Sequence, residues 1–210
     1  TPNYAVRYMG WTALHAMGAK PQAELQTLAK DANPIYRARA LWLLSKIDGN
    51  GQKTVDQALK DSDADIRCVA VRLGRQLAAA DAEINMDALL KAAAADKSPA
   101  VRRECAIALA DLNPDNRAQL WSQLASQHDG KDRWYLEALG IGARGHWDAC
   151  LTAYLEETGG AEKVVSSPAG RDIIWRSRAK ATPALLAMII QDKSTTEEEK
   201  PRYFRAFDFL

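Results

Sequence analysis

The amino-acid sequence predicts an all-α chain of the α-α superhelix class, built from about six helical hairpins, and three observations carry that expectation. The block "NPIYRARALWLL" (Asn33 to Leu44) returns as "DADIRCVAVRLG" (Asp63 to Gly74) and again as "SPAVRRECAIAL" (Ser98 to Leu109). Within each period the apolar residues recur at helical spacing, as with Leu25, Leu28 and Ala29, and then Tyr36, Ala40, Leu43 and Leu44. Strand signals are missing from the sequence, since there is no sustained alternation, and the Asp-Gly and Asn-Gly of "DGNGQ" lie between helical patterns.

The elements follow in order. Helices are expected over 4–18, 21–31, 34–47, 52–61, 64–79, 86–96, 99–112, 114–127, 131–143, 146–158, 169–179, 183–192 and 197–209. Pro34, Pro99, Pro114 and Pro183 each follow a capping residue (Asn33, Ser98, Asn113 and Thr182), a helix-start signal because a proline at the first helical position lacks an amide that would be unpaired anyway. Gly18, Gly49, Gly130 and the Gly159-Gly160 pair mark the ends of hairpins. Aligned on the repeat, Arg7, Arg37, Arg67, Arg102 and Arg133 are spaced by 30, 30, 35 and 31 residues. Three of these arginines stand six residues after an aspartate: Asp31 before Arg37, Asp61 before Arg67, and Asp96 before Arg102. An aspartate in a turn can accept amides of the following helix start, and the arginine can bridge to it or to the next repeat, so these six residues are expected to form a structural ladder.

Size and charge exclude several function classes. The 210 residues are 47% hydrophobic, enough for a sizeable core. Lysine and arginine number 28 against 27 acids, a net charge of +1 spread evenly along the chain. A nucleic-acid backbone tracker would show a clear positive excess, so nucleic acid is not the expected partner. The longest apolar run, Ala184 to Ile190, falls far short of the roughly 20 residues that span a bilayer. The opening "TPNYAVRYMGW" lacks a signal-peptide pattern and reads as a cut inside a longer protein. Cys68, Cys105 and Cys150 form no C-x-x-C pair and are expected to be small buried hydrophobes.

The order apolar helix, Asp, turn, P-x-V-R, Ala, Leu resembles the HEAT repeat over about residues 1 to 145. That resemblance implies a right-handed solenoid whose second helices line a concave face, with regular repeats over 1–145 and irregular helical repeats continuing it over 146–210. The later words "KDRWYLEALGIGARGHWDACLTAYL", "SPAGRDIIWRSRA" and "PRYFRAFDFL" resemble exported planctomycete and verrucomicrobial proteins. In that group a sorbosone-dehydrogenase-like propeller precedes HEAT repeats and a cytochrome c domain follows. The resemblance implies a non-catalytic scaffold segment of a periplasmic or exported redox protein. Its partners are then proteins or neighbouring domains, and any haem belongs to a neighbour, with no cofactor and no metal in this segment.

The candidate residues for chemistry are few. His15, His128 and His146 lack the His-Glu pairs of iron-binding HEAT-repeat hydroxylases, and His128 reads as a polar surface residue. Ser166 and Ser167 read as a helix cap, and the Glu156-Glu157 and Glu197 to Glu199 runs as solvated helix ends. No catalytic residue is expected. The distinctive cluster is aromatic and basic: Arg133, Trp134, Tyr135, Arg144, Trp147, Arg171, Trp175, Arg176 and Arg178. Helical spacing puts Arg171, Trp175 and Arg178 on one face and pairs Asp172 with Arg176 at i, i+4. Tryptophan and arginine concentrate at binding hot spots, so a docking patch is one reading, packing between irregular hairpins another, and stacking on the bases of a single-stranded nucleic acid the third. A HEAT-like DNA glycosylase, which would use Trp, Arg and an Asp on a basic face, and a free-standing adaptor are the alternative functions.

Overall fold

The computed structural model describes residues 3–80, 83–111 and 116–210. All regular structure among them is helical, and the architecture is all-α, of the α-α superhelical class. Two compact units are formed, Thr1–Glu104 and Cys105–Leu210.

The first unit holds α1 (Tyr4–Ala16), α2 (Gln22–Leu28), α3 (Pro34–Leu44), α4 (Gly51–Leu59), α5 (Ala64–Ala78), α6 (Met86–Ala94) and the start of α7 (Pro99–Asp111). Short turns join α2 to α3 and α4 to α5, and each pair packs as a hairpin. Hairpins then stack in two rows, with α3 on α5 and α4 on α6, while α1 packs on α3. Burial follows the helical period: Leu25 and Ala29 face inward from α2 and its cap, and Ala40, Leu43 and Leu44 from α3. Leu28 and Tyr36, expected on those faces, are exposed, because each sits at the edge of its apolar stripe. The expected helix starts at Asn33 and Asp63 are built as caps, with side-chain oxygens accepting the amides of Ile35 and Asp65.

The ladder of this unit is made of two-ended arginines. Arg67 lies in α5, where its Nη1 donates to the carbonyls of Asp61 (3.0 Å) and Ser62 (3.0 Å) in the turn before it. Its Nε and Nη2 fork onto the Asp96 carboxylate of the next turn at 2.6 and 2.9 Å. Arg37 repeats the arrangement one hairpin earlier, bonding the carbonyls of Asp31 and Ala32 and forking onto Asp61 at 2.9 and 3.0 Å. Arg102 likewise donates to the Asp96 carbonyl at 2.8 Å. Each aspartate also accepts the amide two residues on, so at Asp61 and Asp96 one carboxylate closes its own turn while anchoring the preceding hairpin.

The second unit holds the end of α7, then α8 (Arg117–Ala125), α9 (Arg133–Gly142), α10 (Trp147–Thr158), α11 (Ala161–Val165), α12 (Pro168–Arg176), α13 (Thr182–Gln191) and α14 (Lys200–Ala206), closing on a 3-10 turn, Phe207–Phe209. One row runs α9, α12, α14, and the facing row α8, α10, α11, α13. The repeat loses its period here because α11, which is not among the helices the sequence predicts, is inserted where Gly159 at φ +86° stops α10. Trp121, fully buried, donates its indole N–H to the Leu139 carbonyl at 2.8 Å and meets Trp147 and Tyr154 edge-on at 5.6 and 6.2 Å. The expected cap at Thr182 is not formed: Thr182 is inside α13, and its hydroxyl pairs with that of buried Ser177 at 2.8 Å. Ser167 does cap α12, accepting the Gly170 amide at 3.0 Å. The expected Asn113-Pro114 start lies outside the described residues.

Three outcomes test these contacts. Asp96 and Arg67 side chains are only 9% and 8% exposed, so Arg67→Ala strands a carboxylate and is expected to lower unfolding stability by about 3 kcal/mol in urea titration. The Asp96 carboxyl sits below the ordinary aspartate value of 3.8 because Arg67 donates to it, with burial opposing and the Ser98 amide helping. A depressed folded value means this contribution is full above 3.8 and lost as pH falls through the folded value. Asp96→Asn should therefore be less stable than the parent at neutral pH, with the gap closing in acid; a gap independent of pH would contradict it. In α9, a Cβ on Gly142 would stand 2.4 Å from the Ala106 carbonyl oxygen of α7. Gly142→Ala is expected to cost roughly 1 to 3 kcal/mol as the helices are forced apart, seen as a lowered melting temperature.

Candidate functional site

The residues that gather chemistry lie on the row α9, α12, α14 of the second unit. Trp175, near the C-terminal end of α12, has two guanidiniums against its ring, Arg202 of α14 at 4.6 Å and Arg133 of α9 at 5.5 Å from the centroid. Phe209 of the closing turn is 60% exposed and carries Arg178 at 5.7 Å. A groove of about 470 Å³ is lined by Trp175, Pro201, Arg202, Arg205 and Phe209. A second hollow of about 260 Å³ shares Trp175 and Phe209 with it and adds Glu137, Arg176 and Arg178.

Arg133, Arg176, Arg178 and Arg202 are each placed by specific partners. Glu137 of α9 accepts from Arg133 at 2.8 Å and from Arg176 at 3.0 Å. Arg176 can reach it because Gly140 has no side chain: a Cβ there would stand 2.4 Å from the guanidinium carbon. Burial works against the Glu137 carboxylate, but the two arginines outweigh it and hold its pKa below the ordinary value. Arg202 donates to Asp172 at 2.6 Å, and the other oxygen of Asp172 faces Nε2 of His128 at 3.2 Å. Burial opposes the Asp172 charge as well, and the His128 and Arg202 bonds again keep its pKa lowered. Arg178 donates its Nη1 to the carbonyls of Trp175, Arg176 and Ser177 at the end of α12. Burial, and then the neighbouring Arg176, push the Arg178 guanidinium pKa down.

The structure separates the residues that the sequence reading had grouped. Arg133, Trp175, Arg176 and Arg178 converge on the groove. Trp147 instead is half-buried, packed edge-on against buried Trp121, and Tyr135 is buried with its hydroxyl donating to the Leu124 carbonyl at 2.9 Å. Trp134 (73% exposed) and Arg144 lie on the surface. Arg171 does not share a surface with Trp175. It is buried, donates Nε to the Val165 carbonyl at 2.6 Å and Nη2 to Asp192 (3.2 Å) and Ser194 (2.7 Å), the same two-ended bridge as Arg67. Arg133 is solvent-exposed and bound to Glu137, since the position six residues after Asp129 is Tyr135. The expected Asp172–Arg176 pair gives way to cross-helix partners for both residues, which bring opposite charges closer than their spacing along α12.

Several further residues come from α14 and its turn. Arg202, Arg205 and Phe209 had no sequence signal beyond the words "PRYFRAFDFL". His128 is buried rather than at the surface, stacked on Tyr135 with ring centroids 6.0 Å apart. Its Nδ1 finds no hydrogen-bond partner among the described residues. In the first unit a hollow of about 280 Å³ between α3, α5 and α7 is bridged by the Arg72–Glu104 ion pair. Among the described residues no cluster of three or more His, Cys, Asp or Glu side chains could hold a metal ion, and no helix is long and apolar enough to cross a membrane.

Cys68, Cys105 and Cys150 are buried, and burial pushes their thiol pKa values up to about 11, 12 and 11. A thiol reagent should leave all three unmodified in the folded chain and modify all three after denaturation; rapid labelling of one in the native state would contradict their burial. No protein-family model matches this chain, and no curated protein is similar to it.

Proposed function

We propose that this chain is a non-catalytic helical-repeat scaffold that binds a protein partner through the groove of its second unit. The observation that carries this reading is the concentration of arginines at that groove around half-buried Trp175 and exposed Phe209, a composition typical of interface centres. Supporting it, the thiols and the one buried histidine are engaged in the interior. The cysteines are buried with raised pKa values, and His128 is held by Asp172 against Tyr135. A nucleic-acid role is the weaker reading, because the net charge is +1 and the Trp175 face that a base would stack on already carries guanidiniums. We place the scaffold within a larger exported redox protein of the HEAT-containing dehydrogenase type, a reading that rests on the sequence words of residues 128 to 210.

A reduced-minus-oxidised haem spectrum of the natural full-length polypeptide, beside the same spectrum of the 210-residue chain, tests the wider setting. Haem in the former and none in the latter is expected. Titration of the 210-residue chain into the remainder of that polypeptide should give saturable binding lost in Phe209→Ala. Binding unaffected by Phe209→Ala would remove the groove from the scaffold's function.

A further inference from the structure

We propose that the groove on α9, α12 and α14 docks an acidic segment of the partner protein. Its Asp or Glu carboxylates sit on Arg178 and Arg205, and an apolar side chain lies against Trp175 and Phe209. This rests on the protein-docking reading above and names the chemistry of the occupant.

Charge decides the sign of the partner. Four guanidiniums (Arg176, Arg178, Arg202 and Arg205) line the two hollows, which share Trp175 and Phe209, against one lining carboxylate, Glu137. Glu137 is consumed by Arg133 and Arg176, and Arg202 is held by Asp172. Arg205 makes no ion pair or side-chain hydrogen bond among the described residues. Arg178 uses only Nη1, on backbone carbonyls, leaving Nε and Nη2 unengaged there. Two exposed arginines therefore flank an apolar floor with donor groups to spare, a geometry suited to forked bonds with carboxylates.

Geometry decides against a nucleic-acid strand. Stacking a base needs an open aromatic face, while Trp175 and Phe209 are each already covered in part by a guanidinium. The Glu137 carboxylate at the rim of the second hollow would repel a continuous run of phosphates, whereas discrete carboxylates can be spaced around it. The floor is aromatic, which rewards an apolar anchor between the acids, as at interface cores where charged pairs surround a desolvated aromatic.

The test uses fluorescently labelled peptides carrying Asp and Glu on both sides of a central Phe or Leu. They are set beside the same peptides with Asn and Gln in place of the acids and beside single-stranded DNA of mixed sequence, all titrated by anisotropy into the 210-residue chain. The acidic peptides should bind, weaken with added salt, and lose about tenfold in affinity with Arg205→Glu. Lys53→Glu, the same charge change at an exposed residue of the first unit, should leave affinity unaltered. Equal binding by the Asn/Gln peptides, still lost in Phe209→Ala, overturns the acidic occupant while leaving protein docking intact. Binding of DNA alone, with dependence on Arg205, overturns both. Absence of any binding overturns the acidic occupant, and the titration against the remainder of the natural polypeptide then decides the docking reading by itself.

Discussion

The first unit depends on an arginine that is satisfied from two directions at once. A turn between helices leaves carbonyls without partners, and burying them would cost free energy. Arg67 takes two of these carbonyls with one nitrogen and spends its other edge on the aspartate of the next turn. Because Asp61 offers its carboxylate to Arg37 and its carbonyl to Arg67, the turns form a relay in which each hairpin is pinned to its successor. Lysine could not do this, having one point of charge where the bridge needs a planar fork.

In its later half the second unit retains this bridge at Arg171, with the Val165 carbonyl on one side and Asp192 with Ser194 on the other. Between the hairpins of α8 to α12 other groups take over. Trp121 reaches the Leu139 carbonyl, Tyr135 the Leu124 carbonyl, and His128 ties the end of α8 to Asp172 of α12. Larger aromatic groups satisfy backbone acceptors here while packing edge-on between α8 and α10. Irregularity here comes with a different set of anchors, and these anchors also set the position of Arg202 through Asp172.

The groove is a by-product of that change of anchors and a surface with its own chemistry. With Glu137 and Asp172 fixed by cross-helix partners, three arginines are held over or beside Trp175 instead of sweeping through solvent. Holding them lowers the entropy that a ligand would have to overcome on binding. Gly140 contributes by an absence, since only a residue without a side chain lets Arg176 lie across α9.

The helices were legible because their signals are local. Caps at Asn33, Asp63 and Ser167, prolines at first positions and the apolar period all act within a few residues of chain. Recurrence of Asp followed six residues later by Arg likewise exposed the rungs at Arg37, Arg67 and Arg102, because each bridge begins in the arginine's own turn. Arg171 escaped that pattern, since its turn offers only the carbonyl of Val165, and a carbonyl carries no side-chain signature; the Asp-x-Ser at 192–194 was the remaining clue. Helix α11 was hidden by its five-residue length between two glycines and a proline. Sequence by itself thus determined the helical class, the hairpin order and the regular rungs. Tertiary structure alone decided that Trp147 and Arg171 turn inward, that His128 is buried, and that Arg202, Arg205 and Phe209 join Trp175. The reason is physical: which side of an irregular helix meets a neighbour depends on side chains 30 to 44 residues away, as with Asp172 and its partners Arg202 and His128, and spacing along one helix does not encode them.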